Sequence, residues 1–176
     1  MKKLFLALAL FSALMLGACG GQEEAVNEQD EEKNEQQEEQ VLPPEENINP
    51  LTGLADGISD EAMTRVPVAI MVSNSYDSLP QWGISRADII YEMLAEGRIT
   101  RFLAIFKDPS KIEKLASVRS SRPYFIDIAQ SYGAVYMHFG GSVPAYEAIA
   151  ARSDLISMDG IRGGWEGSLF FRDPDR

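Results

Sequence analysis

The chain holds one cysteine, Cys19, and one histidine, His138. Beyond Cys19 no sulfur remains for a disulfide framework or a thiolate ligand, which excludes both a disulfide scaffold and a thiol nucleophile in the body of the chain. With a lone histidine there is no second imidazole for a zinc motif, and neither a metal nor a cofactor is expected. The apolar run from Leu4 to Leu16 covers 13 residues, too few for a comfortable membrane span. Basic residues are scarce as well, 16 against 27 acidic ones, and no basic stripe stands out, so a nucleic-acid partner is not expected. No Gly-x-Ser-x-Gly elbow, Walker loop or dinucleotide-binding glycine fingerprint is present.

What is there begins with an export signal. Lys2 and Lys3 precede the apolar run, which ends in Leu16-Gly17-Ala18-Cys19, the pattern of a secretory signal with a small residue before its cleavage point. Those four residues resemble a bacterial lipobox, which implies removal of residues 1–18 and lipid on Cys19. The expected partner at this end is the lipid bilayer, and the expected location is the outer face of the cell membrane. Residues 19–46 then read as a tether. From Gln22 to Glu46 the chain carries 11 acidic residues against Lys33 alone, with no apolar period, a composition that repels itself and does not fold. Residues 47–176 are nearly balanced by comparison, with 13 basic and 16 acidic side chains.

That last segment is long enough for one domain with a core. Val66 to Val72 reads as a buried strand, rich in β-branched residues, and Ser73 to Gly83 as a polar loop. Residues 85–106 admit two readings. Ser85 and Asp88 could form a capping box opening a helix through Ala95, or two strands could meet in a turn at Gly97-Arg98. Alternation on both sides of the turn favours the hairpin, in a register that puts Glu92, Leu94 and Glu96 on one face with Arg101 and Leu103. Tyr124, Phe125, Ile128, Ala129 and Tyr132 recur at helical spacing, predicting a helix over 121–132. Residues 134–139 follow as a strand. Gly140-Gly141-Ser142 leads into a second helix through about Ala150, with Ser142 as its cap and Pro144 in its first turn. The expected fold is α/β or α+β, a layered domain with a mixed sheet, a hairpin and flanking helices. Asp173-Pro174-Asp175-Arg176 reads as a turn, so the domain is expected to continue beyond this sequence.

The polar residues cluster in three places. Arg119, Ser120, Ser121 and Arg122 stand ahead of the first long helix, where a serine cap, helix N–H groups and two guanidinium forks suit a carboxylate or phosphate. The alternative is that these arginines only pair with Glu92, Glu96 or Asp127. Gly140, Gly141 and Ser142 repeat the theme at the second helix, or form only a turn. His138 lies near a strand end on the same side as Tyr136, where it is either a general base or a structural group. Glu92 and Glu96 could form an acid and base pair. On one strand, though, they would stand about 13 Å apart, against about 6 Å on a helix, so the hairpin argues against a glycosidase dyad.

The blocks NPLTGL (49–54), PVAIMVSN (67–74), GISRADIIYEMLAEGRITRFLAIF (83–106), VRSSRPYF (118–125) and YMHFGGS (136–142), in that order, resemble the N-terminal domain of the YerB-like lipoprotein family of Gram-positive bacteria. The resemblance covers nearly all of 49–176 and implies an exported, membrane-anchored protein whose relatives continue into a second domain. Its motif positions here are Glu92, Glu96, Thr100, Arg101, Arg119, Arg122, Tyr124 and His138, and Arg98 stands where relatives commonly carry glycine. The reading that follows is a surface-tethered module for an anionic envelope component, a wall polymer or a peptide carboxylate. Arg101, Arg119, Ser120, Arg122, Tyr124 and Gly140 to Ser142 would bind it. The alternatives are a wall-modifying enzyme built on Glu92 and His138, and a scaffold presented to another envelope protein.

Overall fold

The computed structural model describes residues 46–174; the signal, Cys19 and all but the last residue of the tether lie outside them. Eight elements follow in order: α1 (Asp60–Thr64), β1 (Val68–Ser73), β2 (Ile89–Leu94), β3 (Thr100–Phe106), α2 (Pro123–Ser131), β4 (Val135–His138), α3 (Val143–Ala150) and β5 (Ser157–Asp159). The strands form one mixed sheet in the order β2-β3-β1-β4-β5. β1 is central, antiparallel to β3 and parallel to β4. Both of its faces are covered, and an uninterrupted apolar run suits such a strand better than an alternating one.

Alternation along β1 divides the core in two. Ala69 and Met71, with Leu103, Ile105 and Tyr136, face Phe125, Ile126 and Ala129 of α2 and Ala145 of α3. On the other face Ile70, Val72, Ala104 and Phe106 are covered by Ile84, Ile112, Leu115 and Val118, which come from connecting segments. Helices therefore cover one side and loops the other. Each fully buried large side chain contributes about 1.5–3 kcal/mol relative to exposure, so β1 and β3 supply much of the fold's stability.

The hairpin is present, and the helix over 85–95 is not: Ile84–Arg86 makes a single 3₁₀ turn before β2 begins. Its register differs from the expected one by one residue. Glu92 pairs with Phe102, and Met93 with Arg101, so Arg101 and Leu103 lie on the face opposite to Glu92. The cause is an extra residue in the connection. Ala95 N–H donates to Ile99 C=O at 2.8 Å while Ile99 N–H donates to Glu96 C=O at 2.8 Å, so two residues of one strand oppose one of the other. A one-residue slip moves every side chain to the opposite face.

The first long helix is shorter than expected and differently capped. It starts at Pro123 with Arg122 as its N-cap, and no side chain bonds to its free N–H groups. Ser120 and Ser121 do not cap it: the Ser120 hydroxyl donates to Phe139 C=O at 3.1 Å, and Ser121 Oγ accepts from the Tyr136 hydroxyl at 2.7 Å. Its buried stripe is Phe125, Ile126 and Ala129, and Tyr124 turns outward. The second helix follows its sequence signals, with Ser142 Oγ accepting from Ala145 N–H at 3.3 Å and Pro144 in the first turn.

Arg98 is the one non-glycine residue of the described chain with positive φ, at 67°. A side chain there costs about 1–2 kcal/mol, against about 0.5–1 kcal/mol for the extra unfolded-chain entropy of glycine. Arg98→Gly is therefore expected to stabilise the domain by roughly 0.5–1 kcal/mol in urea unfolding, and a lower midpoint would contradict the turn geometry.

Candidate functional site

The bulge in the hairpin brings Glu96 to Arg101 on β3 and to Arg122 ahead of α2. Its carboxylate bonds to Arg101 at 3.0 Å and forms a close ion pair with Arg122. Both guanidinium groups also donate to backbone, Arg101 to Ser120 C=O and Arg122 to Ser121 C=O, each at 2.6 Å. Burial and the adjacent Arg122 charge pull Arg101 below the usual guanidinium value, with Glu96 opposing them. It nevertheless stays cationic at any ordinary pH. The Tyr124 hydroxyl donates to Leu94 C=O at 2.6 Å, fastening α2 to the hairpin. Two of the three predicted arginines thus have their forks occupied from within.

Arg119 is different. Its N–H donates to Met71 C=O at 3.0 Å and its C=O accepts from Phe139 N–H at 3.1 Å, so the backbone is pinned to the sheet. The guanidinium is exposed and forms no ion pair or hydrogen bond with the described residues. It lines a cleft of about 380 Å³ together with Lys114, Phe139, Glu166, Phe170, Phe171 and Arg172, among others. Lys114 is held there by an ion pair to Asp173 and lies 3.7 Å over the Trp82 ring. The cleft draws on Asp77, residues 114–119, Phe139, and Glu166 with residues 169–173. Sequence reasoning missed all of it except Arg119, because no local pattern joins four segments so far apart.

Gly140, Gly141 and Ser142 are engaged with the chain itself. Gly140 N–H donates to Asp159 Oδ1 at 2.8 Å, and its C=O accepts from Ser121 N–H at 2.9 Å. Ser142 N–H donates to Ser121 C=O at 3.3 Å, so the loops ahead of α2 and α3 are laced together. With φ at 78°, Gly140 occupies the left-handed region that side chains disfavour.

His138 is wholly buried beside Tyr136, with ring centroids 5.1 Å apart. Its Nδ1 is 2.7 Å from Gly140 C=O, and Nε2 is 2.9 Å from Ser157 Oγ. A carbonyl can only accept, so Nδ1 carries the proton, and the neutral ring accepts the Ser157 hydroxyl at Nε2. Burial lowers the imidazole pKa, with the Gly140 bond and the Asp159 charge opposing it. Asp159 also accepts from Ile161 N–H at 2.9 Å and the Tyr146 hydroxyl at 2.9 Å. Burial pushes its carboxyl up, but these donors together with Gly140 and His138 outweigh it and hold the group below its usual range. β5, which supplies Ser157 and Asp159, is three residues long, too short to show a period.

Glu92 lies elsewhere. It accepts from Asn74 Nδ2 at 3.0 Å and Thr100 Oγ1 at 2.7 Å. Through Phe102 and Val72 it sits on the loop-covered face of the sheet, whereas His138 follows Tyr136 on the helix-covered face. The two are not brought together, and Glu92 and Glu96 have no partner in common. Among the described residues no cluster of three or more His, Cys, Asp or Glu is placed to hold a metal ion. No helix among them is long and apolar enough to cross a membrane.

A mixed sheet with helices on one face, a loop-covered second face and an arginine-lined cleft is the arrangement of a small α/β domain. The chain belongs to the family described as protein of unknown function DUF3048, whose N-terminal domain matches residues 51–176. It is 40% identical over 123 residues to the protein named "Putative lipoprotein YerB" of Bacillus subtilis (strain 168), across 70% of this chain and 35% of that one. The crystal structure of the Bacillus subtilis YerB protein is similar with a TM-score of 0.66 at 38% identity, covering 73% of this chain and 42% of that chain. The chain thus spans about a third of the length of the curated relative it matches.

His138 and Asp159 together set a pH dependence. The lowered imidazole pKa means the unfolded chain binds the proton more readily, so this contribution is complete above the ordinary value of 6.5 and is lost as pH falls below it. The lowered carboxyl pKa of Asp159 acts further down, present above its ordinary 3.8 and lost as pH falls through the folded value. Unfolding free energy measured in urea from pH 8 to pH 4 is expected to fall from about pH 6.5, with His138→Gln flattening the upper part of the curve. A profile that rises towards pH 4 would contradict the neutral, buried imidazole.

Proposed function

We propose that this chain is a surface-tethered lipoprotein module that binds an anionic component of the cell envelope, with Arg119 as the contact for the anion. The observation that carries it is a guanidinium with no ion pair or hydrogen bond among the described residues, on a pinned backbone and lining a cleft with aromatic walls. A planar fork of this kind suits carboxylate or phosphate, and the cleft falls within the roughly 300–1,000 Å³ range of small-ligand sites. Arg101, Arg122, Tyr124, Ser120 and the glycine turn hold the loop that presents Arg119, so they support the site from behind. Family membership and the lipoprotein assignment of YerB support the anchored location, as does the Cys19 signal in the sequence. Binding is favoured over catalysis because Glu92 and His138 occupy opposite faces of the sheet and both imidazole nitrogens are engaged.

Two arginine variants separate binding from structure. Arg119→Ala is expected to weaken binding of purified wall fragments by about 1.5–3 kcal/mol in titration calorimetry, roughly ten- to a hundredfold, with an unchanged melting temperature. Arg122→Ala is expected to lower stability by about 1–3 kcal/mol, because it leaves the Glu96 pair half made. Equal affinity for wild type and Arg119→Ala would remove the cleft from the function. Anchoring is tested independently: Cys19→Ala is expected to abolish lipid labelling and release the product from the membrane pellet, and recovery of labelled C19A there would refute it.

A further inference from the structure

The balance of charge around the Arg119 cleft says more about its ligand than the arginine alone. Its lining carries three cations, Lys114, Arg119 and Arg172, and three carboxylates, Asp77, Glu166 and Asp173. Lys114 and Asp173 neutralise each other in an ion pair. Arg119, Arg172, Asp77 and Glu166 form no ion pair or side-chain hydrogen bond with the described residues. Two cations and two carboxylates thus share one cleft without reaching one another. A ligand with separated opposite charges can pair with both kinds of group at once.

A polyanion is a poor match for this surface. Long phosphate polymers are held by an excess of cations, and here the formal charge of the lining sums to zero. The walls are also apolar where such a polymer has nothing to offer them. Phe139 meets Phe170 at a tilt with centroids 6.0 Å apart, and Phe171 and Leu169 add exposed apolar surface beside them. Buried apolar area needs an apolar partner to contribute to binding.

Resting on the reading of Arg119 as the anion contact, we infer that the cleft takes a short peptide with a free ammonium and a free carboxylate. The carboxylate meets Arg119, the ammonium is received by Glu166 or Asp77, and an apolar side chain lies against Phe139 and Phe170. The ligand is thus a zwitterion with an apolar middle, and its recognition requires both ends unblocked.

Calorimetry on the intact chain tests this with four probes: alanyl-phenylalanyl-alanine with both ends free, its N-acetylated form, its C-amidated form, and polyglycerol phosphate. The free tripeptide is expected to bind, and each blocked form to bind at least about tenfold more weakly, the loss that accompanies one charge-assisted contact. In the Asp77→Asn/Glu166→Gln double variant, acetylation should no longer matter. In Arg119→Ala, amidation should no longer matter. Circular dichroism melts confirm that these surface variants fold. Polyglycerol phosphate binding that depends on Arg119, with a silent tripeptide, overturns the peptide inference and leaves the anion contact standing. Silence from every probe, or indifference to Arg119→Ala, overturns both.

Discussion

The Glu96 carboxylate holds the guanidinium groups of Arg101 and Arg122 together at the start of α2, and three parts of the chain depend on that grip. It ties the hairpin turn to β3 and both to the loop ahead of the helix. The two arginines are largely covered, with side-chain exposures of 15% and 17%, whereas Glu96 is 55% exposed. Its worth therefore lies between the roughly 1 kcal/mol or less of a surface pair and the 3–5 kcal/mol lost when a fully buried pair is broken. The carbonyls of Ser120 and Ser121 each take a further guanidinium donor, so the loop backbone is fixed from its inner side. Arg119, one residue further out, is the guanidinium this arrangement leaves over.

The same fixing runs from β4 to β5. Ser121 is laced to Gly140 and Ser142 through backbone bonds, Gly140 donates to Asp159, and His138 bridges Gly140 and Ser157. Every polar group in that chain is buried or half-buried and has a partner, which is the condition under which a buried network stabilises a fold. Phe139, which follows His138, is turned towards the tail and meets Phe170. One strand end thus supplies a buried histidine on one side and a wall of the cleft on the other.

Much of this was legible in the sequence where the signal was local. β1 could be read from its apolar β-branched run, α3 from Ser142 and Pro144, and the hairpin from alternation about Gly97-Arg98. What failed was set by single residues or by distance along the chain. The register of the hairpin turns on one extra residue opposite Ile99, and no period reveals a bulge. The capping role read for Ser120 and Ser121 failed because their hydroxyls found Phe139 and Tyr136, partners from β4 and the residue just after it. Ile126 was left out of the helical stripe in favour of Tyr124, whose hydroxyl instead reaches across to Leu94. Arg101, Arg119 and Arg122 were all read as ligand contacts, and only tertiary pairing divides them, with Arg101 and Arg122 engaged by Glu96 and Arg119 pairing with none of the described residues. The cleft could not be found at all, since Asp77, Lys114 and Glu166 share no spacing.

The division of the arginines carries the functional reading, and it can be observed directly. An NMR spectrum of the arginine Nε–Hε groups, titrated with alanyl-phenylalanyl-alanine, resolves each guanidinium separately. The account predicts that the Arg119 signal moves with ligand while those of Arg101 and Arg122 stay in place, held by Glu96. Movement of the Arg101 or Arg122 signals with Arg119 unchanged would contradict it, and would place the ligand at the start of α2 instead.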